Sequence, residues 1–321
     1  MPFAHEDPDF DDLLRIVAEH RGLALGLVEK DYWVTHTLWA LHAQGFDVWF
    51  KGGTSLSKGF ALIERFSEDL DLKIEPGRVA ALPHVANWKS EGRNATSARR
   101  EYFERLRDIL DVPNATITLE APGDDATCRA ANLRVLYPGR HLDDLQGVLR
   151  PFVLLEVGSA RVTPAVERSL SSFVHQHLVD AGQLADYAEN LPTAVLCVHP
   201  LVTLVEKLDA IHRRVGSAQV EPAGFVRHFE DAARVIAGEG TLPPLAEYPT
   251  VRALADDMFA QRQVAAVPRA DDRAFAPDDG ERWTAIRRGY EAIAPMYWGA
   301  RVPLEDACAR IRVWIAANLD A

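Results

Sequence analysis

The sequence predicts an α+β fold, with an N-terminal α/β lobe over residues 1–198 and a helical lobe over residues 199–321. Three observations predict it. The stretch Val48–Ile74 reads as strand, Gly-Gly turn, helix and strand. After His199-Pro200 the texture changes to helical patterns separated by breaks that contain Pro and Gly. At 321 residues a single hydrophobic core is near its natural limit, which favours two packed lobes.

The elements follow in order. Residues 10–20 and 27–44 read as helices; in the second, Leu27, Tyr32, Val34, Leu38 and Leu41 form an apolar stripe that Gly45 ends. A strand over Asp47–Lys51 runs into the turn at Gly52-Gly53. A helix is expected from Thr54 to about Glu64, capped by Thr54 or Ser55. Asp69–Ile74 alternates as a strand, and further strands are expected at 115–120, 129–137, 151–158 and 193–198. Helical patterns then occupy 200–215, 223–237, 247–262, 281–294 and 303–317.

With 48% hydrophobic and 26% charged residues the chain has ordinary globular composition. The acidic N-terminus has no apolar core of a signal peptide, and no run approaches a membrane span. Cys128, Cys197 and Cys308 lie too far apart for a zinc pattern and form no even disulfide set. They read as buried thiols in a reducing cytosol, so a cytoplasmic location is expected. A net charge of −12 argues against indiscriminate nucleic-acid binding, which is largely phosphate neutralisation. It leaves room for a local basic face. Arg93, Arg99, Arg100, Arg105 and Arg107 cluster, as do Arg213, Arg214 and Arg227, although a solvated helix face is the default for such runs.

The chemistry concentrates in Val48–Ile74. Gly52 and Gly53 let the backbone approach a phosphate closely, and a helix start carrying Thr54 and Ser55 presents unpaired N–H groups to it. On a strand, residues two apart share a face, so Asp69 and Asp71 project together while Leu70 and Leu72 enter the core. Paired carboxylates make a hard oxygen site for Mg²⁺ or Mn²⁺. Metal ions so held activate an attacking hydroxyl and steady a leaving pyrophosphate. Gly-Gly alone is a common turn and a lone Asp-x-Asp is often a solvated edge; their order along one chain is what makes the signal specific. No Walker A pattern occurs, since Lys58 precedes its glycine.

The segments Gly52–Lys58 and Arg65–Leu72 resemble the opening motif of the AbiEii/MenT-type nucleotidyltransferases, toxins of type IV toxin–antitoxin and abortive-infection systems within the DNA polymerase β-like superfamily. Fifteen residues separate Gly53 from Asp69, longer than the general superfamily spacing but normal for the toxin branch. The resemblance implies a polymerase β-like lobe with a mixed sheet. It implies NTP as substrate, an RNA acceptor such as a tRNA 3′ end, and a nearby-encoded antitoxin that need not touch the toxin. It also implies nucleotide-binding roles for Gly52, Gly53, Thr54, Ser55, Lys58, Arg65 and Ser67. Glu156, an acid in an otherwise apolar strand, is implied as the third metal ligand. A buried Glu156 paired with Arg161 or another base remains the competing reading.

A second block of resemblance lies in Pro200–Asp231. The family's Lys-Leu-x-Ala pattern followed by Arg matches Lys207-Leu208-Asp209-Ala210 with Arg214, and a later pair matches Arg227-His228 before Asp231. Helix geometry agrees: Leu201, Leu204, Val205, Leu208 and Ile211 form the buried stripe, with Lys207 about 95° from its centre and Arg214 on the same flank. Lys207 and Asp231 are thereby catalytic candidates expected to face the same cleft as Asp69, with Arg214 and Arg227 on the nucleotide. Lys207 merely snorkelling beside Glu206 or Asp209 is the alternative. The resemblance spans roughly residues 27–236.

Other residues carry less. His175 and His177 lie about 200° apart on a helix and do not converge on a metal. His141 and His212 read as surface residues, and Trp33, Trp39 and Trp49 as packing. Ser67 would share the face of Asp69 if the strand reached it, and its phosphorylation there would repel an incoming NTP. Two other functions compete: nucleotidylation of a small molecule or protein, and a non-catalytic module that senses NTP.

Overall fold

The computed structural model describes residues 1–67, 69–120, 127–141 and 150–320. They divide into two compact units, and the division is not a single cut. Met1–Gly59, Ser67–Ala160 and Glu167–Cys197 form the first; Phe60–Phe66, Arg161–Val166 and Val198–Ala321 form the second.

The first unit opens with α1 (Phe10–Arg21) and α2 (Leu25–Gln44), each stopped by a glycine in the left-handed region, Gly22 at φ 64° and Gly45 at φ 91°. Apolar residues cover α2 on more than its expected stripe, and it is buried along most of its length. Its buried Glu29, Lys30 and Asp31 therefore need partners inside the protein. Next come β1 (Asp47–Lys51), α3 (Gly52–Lys58), β2 (Asp69–Glu75), α4 (Arg93–Ile109), β3 (Thr116–Leu119), β4 (Ala130–Leu136), β5 (Val153–Gly158), β6 (Ala165–Arg168), α5 (Phe173–Asp180) and β7 (Val195–Val198). The seven strands form one mixed sheet in the order β3-β4-β5-β2-β1-β7-β6. β2 runs antiparallel to β1 and parallel to β5. The expected alternation holds: Leu70, Leu72 and Ile74 are buried, while Asp69, Asp71, Lys73 and Glu75 occupy the other, half-buried face.

Two expectations about α3 change. It starts at Gly52, with Lys51 as its cap residue, and ends at Lys58 rather than near Glu64. The residues after it leave for the second unit. There Arg65 makes an antiparallel bridge to Tyr297, Phe66 N–H donates to the Met296 carbonyl (2.9 Å), and Trp298 N–H donates to the Glu64 carbonyl (3.0 Å).

The arginine run lies on α4, and its central member is not solvated. Arg99 is buried and donates to the carbonyls of Thr127 and Asn87. His141 is also less exposed than expected, because its ring pairs with Asp11. His212 is partly exposed and pairs with Asp272. Behind α2 lies a polar cluster. Asn190 Nδ2 donates to Tyr32 Oη and lies 2.8 Å from His36 Nδ1, its Oδ1 meets His175 Nε2, and His5 Nδ1 meets Tyr32 Oη at 2.9 Å. Burial lowers His5 and His175 to about 4 and His36 to about 3, so the rings are neutral at pH 7. All three cysteines are free and buried.

In the second unit α6 (Pro200–Val215) buries the predicted stripe from Leu201 to Ile211 against α7 (Arg227–Ala237) and α8 (Val251–Ala260). α10 (Leu304–Asn318) packs on α7, and α9 (Glu281–Ala292) packs near Pro222–Gly224. Among the described residues, no helix is long and apolar enough to cross a membrane.

Candidate active site

In the first unit, strand register builds the acidic group. Asp71 stands opposite Lys51 on β1 and opposite Glu156 on β5, while Asp69 stands opposite Leu154. Gly52 follows Lys51 directly, with φ at 75°, and a Cβ there would fall 1.8 Å from Asp71 Oδ2. Only glycine gives the backbone both that angle and that approach. The register thus sets the third acid beside Asp71. Burial, then the charges of Asp71 and Asp69 and a hydrogen bond with Asp71, push Glu156 up to about 7. Arg161, the base that might have neutralised Glu156, pairs instead with Asp257 at 2.8 Å.

These carboxylates fit a hard divalent cation by donor chemistry: they are oxygen ligands on neighbouring strands whose mutual repulsion a cation relieves. Their side chains are not yet gathered around one point. Among the described residues no three Asp, Glu, His or Cys groups form a ready metal set. Asp69 Oδ1 meets Arg150 Nη1 at 3.0 Å, and Glu156 is hydrogen-bonded to Asp71.

The neighbours of Gly52 turn inward. Thr54 Oγ1 donates to the carbonyls of Ser67 (2.9 Å) and Asp69 (2.7 Å), tying α3 to the entry of β2 rather than capping the helix. Ser55 is buried beside Cys197, whose thiol burial raises to about 11. What Thr54 and Ser55 can offer a nucleotide is therefore backbone N–H, along with that of the buried Gly53. Lys58 was expected on the nucleotide, but its ammonium lies 2.5 Å from Asp31 and 3.0 Å from both Thr35 Oγ1 and the Ser171 carbonyl. It anchors α3 to α2. Ser67 is not in a strand, so the premise that it shares the Asp69 face is not met.

The second unit holds the other motif. Asp231 is fully buried and receives Arg65 Nε and Nη2, each at 2.7 Å, and Lys207 Nζ at 2.7 Å. Burial opposes its charge, but Arg65 and Lys207 overcome this and hold the carboxyl well below the usual range. Two expectations are corrected. Arg65, with only 1% of its surface exposed, is not a nucleotide contact, and Asp231 is a counter-ion rather than a group that orients substrate. Lys207 does not snorkel: Asp209 is taken by Arg213 and by the backbone N–H groups of Ala265 and Ala266. Burial lowers the Lys207 pKa while Asp231 opposes the shift, and His228 Nδ1 lies 3.3 Å away. Burial, then the Lys207 charge, keeps His228 neutral. Half-buried Arg227 adds a further positive charge, and Arg214 is exposed.

A family model described as "Nucleotidyl transferase AbiEii toxin, Type IV TA system" matches residues 38–307. Among solved structures, the nucleotidyltransferase toxin MenT4 of Mycobacterium tuberculosis H37Rv is similar, at 16% identity. The match covers 92% of this chain and 98% of that one, with a TM-score of 0.39. No curated protein matches.

Proposed function

The chain belongs to the AbiEii family of nucleotidyltransferase toxins of type IV toxin–antitoxin systems, and on that premise we propose that it moves a nucleotide from an NTP to an RNA acceptor, such as a tRNA 3′ end, in the cytoplasm. One observation carries this reading: Asp71 lies in register with Glu156 and against the backbone of Gly52, so the acidic strand and the glycine turn meet at one place.

Asp69, Asp71 and Glu156 would hold Mg²⁺ or Mn²⁺, which supplies Lewis-acid activation of the acceptor hydroxyl and neutralises charge on the leaving pyrophosphate. The chain's own groups do the rest. Gly52 and Gly53 let the triphosphate reach backbone N–H donors. Lys207, with Arg227 and Arg214, offers positive charge to phosphates, and Asp231 fixes Lys207 in place. The family's system gives an antitoxin as partner.

The test incubates the protein with each labelled NTP, Mg²⁺ and total RNA, and asks which species gains label. Label on RNA, lost with EDTA and in Asp69→Asn and Asp71→Asn, supports the reading. Near-normal transfer by either variant removes the metal site. Label on protein or on a small molecule replaces the acceptor.

A further inference from the structure

Lys207 has more donors than its neighbours in the second unit use. Its ammonium carries three N–H groups. One donates to Asp231 Oδ2 at 2.7 Å and one to His228 Nδ1 at 3.3 Å. Among the described residues no acceptor meets the third. Arg65 and Arg227, the other charges that act on Lys207, are cations and accept nothing.

The consequence falls on His228, at the start of α7. An ammonium can only donate, so the Nδ1 that meets it must present a lone pair. The single proton of the neutral ring then sits on Nε2. Burial and the Lys207 charge keep the ring neutral, with Arg227 and Arg65 acting the same way and Asp231 against them. Among the described residues nothing accepts from Nε2, and this nitrogen of the half-buried ring is not one of the sealed polar atoms. Two neighbouring groups thus each keep an unspent N–H. A donor left unspent away from water costs free energy that a ligand oxygen would relieve.

Resting on the function proposed above, we propose that His228 is a nucleotide-binding residue: its Nδ1 accepts from Lys207 and fixes that ammonium, while its Nε2–H donates to a phosphate oxygen of the NTP beside the remaining Lys207 N–H. The ring suits both tasks because it is rigid, accepts at one nitrogen and donates at the other. A cationic side chain here could not accept from Lys207, and a carboxylate could not donate to phosphate.

Tautomer and ligand are read separately. In protein labelled with nitrogen-15 histidine, His228 is assigned by its absence from either variant named below. Its ring should be neutral with the proton on Nε2 from about pH 6 to about pH 8; a charged ring, or a proton on Nδ1, overturns the proposal. Inorganic triphosphate with Mg²⁺, the base-free probe, should move the wild-type Nε2 resonance, and an unmoved resonance at saturation overturns it too. His228→Asn keeps an acceptor in the place of Nδ1 and lacks the donor. It should bind triphosphate about tenfold more weakly, the scale of one hydrogen bond to a charged group. His228→Gln, which sets an amide in the place of Nε2, should recover most of that loss. Unchanged affinity in folded His228→Asn sinks the inference and leaves the nucleotide reading standing. Wild-type protein that binds neither triphosphate nor any NTP removes both.

Discussion

At Gly52 one added methyl group would meet Asp71 Oδ2 at 1.8 Å, in a backbone conformation that disfavours any side chain. Gly52→Ala should therefore abolish transfer and cost about 1–3 kcal/mol of stability, read from activity and a urea midpoint. Wild-type turnover in that variant would show that the Asp71 position does not matter. Asp231 behaves differently from the strand acids. Removing its charge leaves Arg65 and Lys207 buried without their counter-ion, so Asp231→Asn should lose about 3–5 kcal/mol. Asp69→Asn, at a half-buried site, should lose little stability. A fully stable Asp231→Asn protein would overturn the counter-ion role.

At the scale of elements, the buried imidazoles of α2 and α5 make stability depend on pH. His36 and His175 are lowered to about 3 and about 4 by burial, so the unfolded chain binds their protons first as pH falls. The stability they contribute is present above about pH 6.5 and is lost towards about pH 4. The ceiling is about 2 kcal/mol for each ring at pH 5. The urea midpoint should drop between pH 7 and pH 5, and the drop should shrink in His36→Asn; an equal drop in both proteins would place the titration elsewhere. Other elements show what sequence reading reaches. β2 and the third acid were legible, because a period of two and a charge in an apolar strand are local signals. The end of α3 was not, because Phe60 to Phe66 carries apolar residues that read as more helix and are used in the second unit. Lys58 looked like a phosphate ligand because its partner Asp31 lies on another helix, where no local pattern reports it. Arg150 had no signal, since its acceptor is 81 residues away.

For the whole molecule, the interleaving of the units decides what can be cut. A boundary at 198 looks natural in the sequence, but Phe60–Phe66 and Arg161–Val166 belong with the helices that follow it. A fragment of residues 1–198 keeps Arg65 and loses Asp231, its bidentate partner. That fragment should be insoluble or expose residues 60–66 to protease, whereas the full chain should resist cleavage there. Limited proteolysis followed by mass mapping checks this; a folded, resistant fragment would show that the segment needs no partner.

The Arg65–Asp231 pair also sets a clock during synthesis. Its two halves are 166 residues apart, so a ribosome making about 5–20 residues per second spends roughly 8–33 s between them. The strand-like pairing with Tyr297 completes later still. A nascent chain thus carries its glycine turn and acidic strand early but cannot settle the segment joining them until Asp231 and Tyr297 have both been made.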